Sequence, residues 1–271
     1  MTIHEIIKQA LIEDIPTIDV SSEYLFKDDI STGAFIAKED GVISGMDICQ
    51  AVFKEVDETV EFNILKNNGD EVKKGMVIAT VKGLSKSILK AERVGLNFLQ
   101  RMSGIASMTK KFVNETKGTQ TKILDTRKTT PLLRILEKKA VQDGGGKNHR
   151  MSLSDMVMLK DNHLKASGGI IKAVEKVKKH LDSKMKIEVE VESIEQLKQA
   201  LMTDADIIML DNMTIEDMKE AVKINNGMKL LEASGNMILS RIKDVASTGV
   251  DYISVGALTH SYQSMDISLK F

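Results

Sequence analysis

The sequence predicts an α/β protein in which an antiparallel sheet domain precedes a run of βα units, and three observations carry that prediction. Between about residues 33 and 90 the apolar period falls towards two, with Gly, Asn and Asp punctuating β-rich runs. From about 122 to 258, six short apolar runs alternate with helical patterns, which is the order of a parallel sheet curled into a closed or partly closed barrel. Between these regions one helical pattern runs unbroken over 84–115.

The elements follow in order. Ile3, Ile6, Ile7, Ala10, Leu11 and Ile12 recur at helical spacing and predict an amphipathic helix over 1–15. GAFIAKEDGVISG, TVEFNILKNNGDEV and GMVIATVKG supply the antiparallel strands. The βα series is KILDT, a helix near 131–142, MVMLKD, a helix near 168–181, KIEVEVES, a helix near 193–203, DIIMLDN, a helix near 214–224, KLLEASG, a helix near 238–248, and YISVGAL. The closing MDISLKF alternates like an edge strand that returns to the first sheet. The domain boundary is expected inside or just after the long helix, near 100–110.

Composition narrows the function. With 38 Lys+Arg against 39 Asp+Glu, the formal net charge of −1 is no footprint of a general polyanion binder, so nucleic acid is not expected as a partner. A single cysteine, Cys49, excludes an intramolecular disulfide framework and fits a reducing compartment. The amino terminus has neither signal-peptide nor anchor character, and no window approaches a membrane span. A soluble, cytoplasmic protein is expected. The 271 residues suffice to bury about three quarters of the unfolded chain's surface without staples. The 16 Met against 2 Pro and no Trp read as compositional drift, with Met standing for Leu in the core.

Chemistry gathers where the six apolar runs end: Asp125-Thr126-Arg127-Lys128, Lys160-Asp161, Glu190, Asp211-Asn212, Ser234-Gly235 and Gly256. Polar groups at the carboxyl ends of successive barrel strands are where such folds put their sites. Arg127, Lys128, Arg150 and Lys160 sit at or beside those ends and Arg93 on the long helix, a set of cations suited to a small polyanion. Glu190 and Asp211, on successive strands, suit Mg²⁺ or ribose hydroxyls. A phosphorylated sugar meeting a dicarboxylate satisfies both halves. Three weaker patterns are read as ordinary structure or left open. NNGDEVKKGM (67–76) resembles a carrier-domain hairpin but lacks the modifiable lysine. Gly144-Gly145-Gly146-Lys147 is followed by Asn148, without the Ser or Thr of a phosphate loop, though its glycines allow something to approach closely and set His149 and Arg150 beside that opening. Asp161-Asn162-His163 contains strand-end turn formers.

Taken together, DTRKTTP (125–131), GGGKNHR (144–150), LKDNH (159–163), EVEVES (188–193), MLDNM (209–213), EASG (232–235), VGALTHS (255–261) and AERVGLNFLQRMSGIA (91–106) resemble the quinolinate phosphoribosyltransferases over nearly the whole chain. The resemblance implies an amino-terminal α/β sandwich over 1–105, completed by 263–271, and an open α/β barrel over 106–262, in a homodimer. It implies conversion of quinolinate and phosphoribosyl pyrophosphate to nicotinate mononucleotide, CO₂ and pyrophosphate, with Mg²⁺. Carried over by motif, Arg93, Arg127, His149, Arg150 and Lys160 hold quinolinate's carboxylates and the phosphates, with Arg93 reaching the neighbouring subunit's site. Lys128 faces the pyrophosphate, Glu190 and Asp211 hold ribose hydroxyls or metal, and Ser234, Gly235 and Gly256 bind the 5′-phosphate. Leu132 stands where the family often has Gly, and Lys139 and Gln142 replace a common Tyr and Arg. Two other readings stay open at this point: a phosphoribosyltransferase for another pyridine or azole acid such as nicotinate, without decarboxylation, and a non-catalytic sensor of a phosphorylated metabolite.

Overall fold

The computed structural model describes residues 1–181 and 184–271. The chain divides into two compact units, one of residues 1–110, 129–145 and 261–271, the other of residues 111–128 and 146–260.

The first unit opens with α1 (Ile3–Asp14), whose Thr2 and Glu5 form a reciprocal capping box, and α2 (Val20–Leu25), capped by Asp19. Strands β1 (Ile30–Ala37), β3 (Glu61–Ile64) and β5 (Val77–Leu84) pair antiparallel, and β2 (Gly41–Val42) pairs with β4 (Glu71–Val72) in a small second sheet. One element departs from the predicted all-β stretch. Residues Met46–Val56 form a helix, α3, because Met46, Cys49, Val52 and Phe53 fall on one helical face and are buried. Its Phe53 meets Phe35 and Phe62 at centroid distances of 5.4–5.7 Å, the aromatic centre of this unit. The long helix α4 (Ser85–Glu115) follows without a break.

In the second unit, β6 (Lys122–Leu124) begins a six-stranded sheet. The chain then forms α5 (Arg134–Asp143), which belongs to the first unit. There Glu137 accepts from the Arg101 guanidinium and from the Thr130 N–H, and Arg101 lies 5.0 Å from the Tyr262 ring centroid. Gly144, just past α5, explains part of the triple glycine. A Cβ there would sit 2.4 Å from the Ala106 carbonyl oxygen, so the close approach is made by α4 itself. The series continues with β7 (Val157–Leu159), α6 (Asp161–Ser167), α7 (Ile170–Lys178), β8 (Ile187–Val191), α8 (Ile194–Leu201), β9 (Ile207–Asp211), α9 (Ile215–Asn225), β10 (Leu230–Ser234), α10 (Leu239–Ser247), β11 (Tyr252–Ser254) and α11 (Ala257–His260). The helix predicted over 168–181 is shorter and later: Gly168 and Gly169, at φ +83° and +110°, separate α6 from α7, which ends at Lys178. Residues 182–183 of the adjoining segment lie outside the described residues.

The sheet order is β6-β11-β10-β9-β8-β7 and every pairing is parallel. Among the described residues no pairing joins β6 to β7, so the sheet is open there. Residue Lys147 lies parallel against Leu124 at the β6 edge, its N–H donating to Ile123 O. The final strand, β12 (Ile267–Lys270), pairs antiparallel with β1 and forms the edge of the first unit's sheet, as MDISLKF suggested. No helix among the described residues is long and apolar enough to cross a membrane.

Leu132 has a left-handed backbone, φ +68°, with its side chain 74% exposed. An L residue with a bulky side chain is disfavoured there by about 1–2 kcal/mol relative to its ordinary regions, whereas glycine is not. Leu132→Gly should therefore leave urea stability unchanged or raise it by up to about 1 kcal/mol, after the entropy glycine adds to the unfolded chain. A loss above that size would show that the Leu132 side chain supports the fold.

Candidate active site

The carboxyl ends of the six parallel strands open onto a cavity of about 710 Å³. The cations enter from three places. Arg127 and Lys128 follow β6, where Thr259 Oγ1 donates to the Lys128 carbonyl at 2.7 Å. Arg150 comes from the irregular segment between β6 and β7, its guanidinium donating to Met156 O at 2.9 Å. Lys160 follows β7 and lies 3.3 Å from Glu190. Burial, and then the neighbouring Arg127 charge, lower the Arg150 pKa, so an anion bound between the two would relieve their repulsion.

The carboxylates and the small residues come from the strand ends on the same face. Register aligns Asp211 with Ser234, and Glu190 with Met209 two residues before Asp211. Asn212 and Gly235 take left-handed backbones at φ +54° and +89°. A Cβ at Gly235 would fall 2.1 Å from Asn212 Oδ1 and 2.9 Å from the Asn212 backbone nitrogen, so only glycine fits this turn. Gly256 and His260 complete the rim beside Lys128.

Of the residues singled out from sequence, Lys128, Glu190, Asp211, Arg127, His149, Arg150, Lys160, Ser234, Gly235 and Gly256 all line this cavity. Arg93 does not; it is exposed on α4 in the first unit. The weaker patterns resolve as structure. Lys160 N–H donates to His163 Nδ1, and Asp161 pairs with Lys165, at the start of α6. Asp70 accepts from the Asn67 N–H in the turn before β4.

Sequence reading missed a buried layer one step before the strand ends. Side chains in a strand alternate, so Glu188 shares a face with Glu190, and Glu232 with Ser234. Glu188 and Glu232 are fully buried. His149 Nε2 lies 3.0 Å from Glu188 Oε2 and 3.5 Å from Glu232 Oε2, while His149 Nδ1 accepts the Arg150 backbone N–H at 2.8 Å. With Nδ1 accepting, the ring proton sits on Nε2 and donates to Glu188 Oε2. Burial raises the Glu188 pKa to about 7; burial and the Glu188 charge raise that of Glu232 to about 8. Like charges so close do not both ionise readily, so the pair retains a proton at a pH where free carboxyls have lost theirs. The run Glu188-Val189-Glu190 was the available signal, since a spacing of two puts both glutamates on one face. Among the described residues these three form a group whose donor atoms lie within 4.8 Å of one another. Its nitrogen donor suits a transition metal, whereas Glu190 and Asp211 offer only the oxygen donors that Mg²⁺ prefers.

Comparison with known proteins agrees with this geometry over the full chain. The family model "Quinolinate phosphoribosyl transferase, N-terminal domain" matches residues 19–103, and that for the C-terminal domain matches 105–270. A Nicotiana tabacum protein named quinolinate phosphoribosyltransferase (decarboxylating) 2b, mitochondrial, is 45% identical, covering 98% of this chain and 81% of its own. A Bacillus subtilis (strain 168) protein named "Probable nicotinate-nucleotide pyrophosphorylase (carboxylating)" is 41% identical, over 99% of this chain and 93% of its own. Among solved structures, NadC from Streptococcus pyogenes superposes with a TM-score of 0.96 at 41% identity, over 98% of this chain and 95% of the other.

Proposed function

The chain belongs to the quinolinate phosphoribosyltransferase family, and from that membership we propose that it joins quinolinate to phosphoribosyl pyrophosphate, releasing CO₂ and pyrophosphate and giving nicotinate mononucleotide for NAD synthesis. It is a decarboxylating pentosyltransferase. The observation that carries this reading at the level of the site is the meeting of Arg127, Lys128, Arg150 and Lys160 with Glu190 and Asp211 in one cavity. A dicarboxylate and a pyrophosphate need the first group, and a ribose needs the second.

Each role follows from charge. Arg127, Arg150 and Lys160 align quinolinate through its carboxylates so that the ring nitrogen faces the ribosyl carbon, an orientation effect. His149 lines the same cavity and holds the Arg150 backbone N–H through Nδ1. Lys128 faces the departing pyrophosphate. Glu190 and Asp211 stabilise the positive charge that grows on the ribose as that bond breaks. Ser234, Gly235 and Gly256 receive the 5′-phosphate through hydroxyl and backbone N–H groups. Alkylation makes the ring nitrogen cationic, so the bond from C2 to the 2-carboxylate breaks to release CO₂, the electron pair stays on C2 beside N⁺, and C2 then takes a proton from solvent. Glu190 and Asp211 fit Mg²⁺ by donor chemistry, and the ion would neutralise pyrophosphate charge while taking its remaining ligands from the substrate. The working form is a homodimer in which Arg93 serves the neighbouring cavity, and a reducing compartment such as the cytoplasm suits the lone buried Cys49.

Incubation with quinolinate, phosphoribosyl pyrophosphate and Mg²⁺ should yield nicotinate mononucleotide and CO₂, and nicotinate should not replace quinolinate. Turnover of nicotinate alone, or binding without turnover, would overturn the proposal. Arg127→Lys should lose on the order of 10²-fold in kcat/KM, about 3 kcal/mol, because an ammonium cannot form the bidentate fork. Near-normal efficiency in that variant would remove Arg127 from the quinolinate site.

A further inference from the structure

The segment from Asn148 to Met156 has no regular secondary structure and runs from Lys147, at the β6 edge, to the start of β7, yet it brings Arg150 to the cavity. Such a segment holds a catalytic geometry only through tethers. At its start, the His149 N–H donates to Asp125 Oδ1 at 2.8 Å, beside β6. From there the imidazole crosses to the interior, where Glu188 on β8 and Glu232 on β10 meet its Nε2. Its other nitrogen accepts the N–H of Arg150. The side chain of His149 is only 7% exposed, and both ring nitrogens are used inside the protein.

We infer that Glu188 and Glu232 are positioning residues for the reaction: acting through the His149 ring, they hold Arg150 in the orientation that receives a substrate carboxylate. The inference rests on the proposed role of Arg150 as a quinolinate ligand. Three features support it. Glu188 and Glu232 are fully buried, and both turn a carboxyl oxygen to His149 Nε2, at 3.0 and 3.5 Å. Two such carboxyls cost stability compared with apolar side chains of the same volume, so packing alone does not account for them. The two glutamates sit two residues before Glu190 and Ser234, on the same faces of β8 and β10. Finally, an acceptor facing Nε2 favours the same tautomer that the Arg150 N–H selects at Nδ1, and it fixes the ring in the plane from which Nδ1 holds the Arg150 backbone.

The test uses the full-length enzyme and the variants Glu188→Ala, Glu188→Gln, Glu232→Gln and Arg150→Ala, each measured for both substrates. In Glu188→Ala the KM for quinolinate should rise about tenfold, the size expected from a small misplacement of an orienting group, while the KM for phosphoribosyl pyrophosphate moves less than about twofold. Glu188→Gln should recover much of the loss, since its amide oxygen still accepts from Nε2–H. Nitrogen NMR of the His149 ring should report Nε2–H with an unprotonated Nδ1 in the parent, and in Glu188→Ala a displaced Nε2 resonance that marks the lost acceptor. If that protein does not fold, Glu188→Gln and Glu232→Gln decide through the same split between substrates. Should Arg150→Ala raise the quinolinate KM while every glutamate variant leaves it unchanged, the inference is overturned and the site reading survives. An unchanged KM in Arg150→Ala would instead remove the site reading on which the inference stands.

Discussion

Asp211→Ala and Glu190→Ala should each lower kcat by about 10³-fold, while the affinity for quinolinate changes by less than about threefold. The division follows from where the charges are needed. Quinolinate is an anion, and its binding is the work of cations. The two carboxylates act on the ribose, which becomes positive only as pyrophosphate leaves. Glu190 adds a complication that sharpens the test, because it also holds Lys160 at 3.3 Å. Truncation releases that ammonium into the cavity, where it remains available to the acid, so Glu190→Ala should not weaken quinolinate. Asp211 is bonded to the side-chain amide of Asn212 at 2.8 Å, and its removal leaves the cations undisturbed. Binding measured by calorimetry and turnover measured under saturation separate the two effects. Quinolinate affinity that collapses in parallel with kcat would show that these carboxylates organise the acid site instead.

Arg93→Ala and Lys128→Ala homodimers should both be nearly inactive, and mixing them should restore activity. If Arg93 serves the neighbouring cavity, a mixed dimer has one doubly damaged site and one with neither lesion. Random exchange puts about half of the dimers in mixed form with one intact site of two, so activity should climb towards about a quarter of wild type. The exposure of Arg93 on α4, and its absence from the residues lining the cavity, make it the one member of the proposed set whose role depends on a second chain. Exchange has to be confirmed independently by mass spectrometry of tagged subunits. No recovery after confirmed exchange would mean that Arg93 serves its own chain or only supports the fold.

Much of this was legible in the amino-acid order because it rests on local periodicity. A helical repeat over 84–115 requires only that apolar residues recur every three to four positions, and α4 runs from Ser85 to Glu115. The upper ring of the cavity was legible too, since Lys128, Glu190, Asp211, Ser234 and Gly256 each follow or end an apolar run, and parallel strands bring such ends together whatever the details of packing. Helix α3 was readable in principle, but its face of Met46, Cys49, Val52 and Phe53 lay among β-rich neighbours that masked its period.

The tertiary structure alone decided the rest. Whether six strands close or leave an opening depends on pairing between β6 and β7, which no local signal encodes. Gly144 was free to serve a ligand or a helix until α4 was seen against it. Glu188 and Glu232 are two charged residues within apolar strands, and nothing in their own segments joins them to His149. That contact brings together residues from β8, β10 and the irregular segment after β6. Local periodicity determines which face of a strand a side chain occupies; only the folded sheet determines what it meets there.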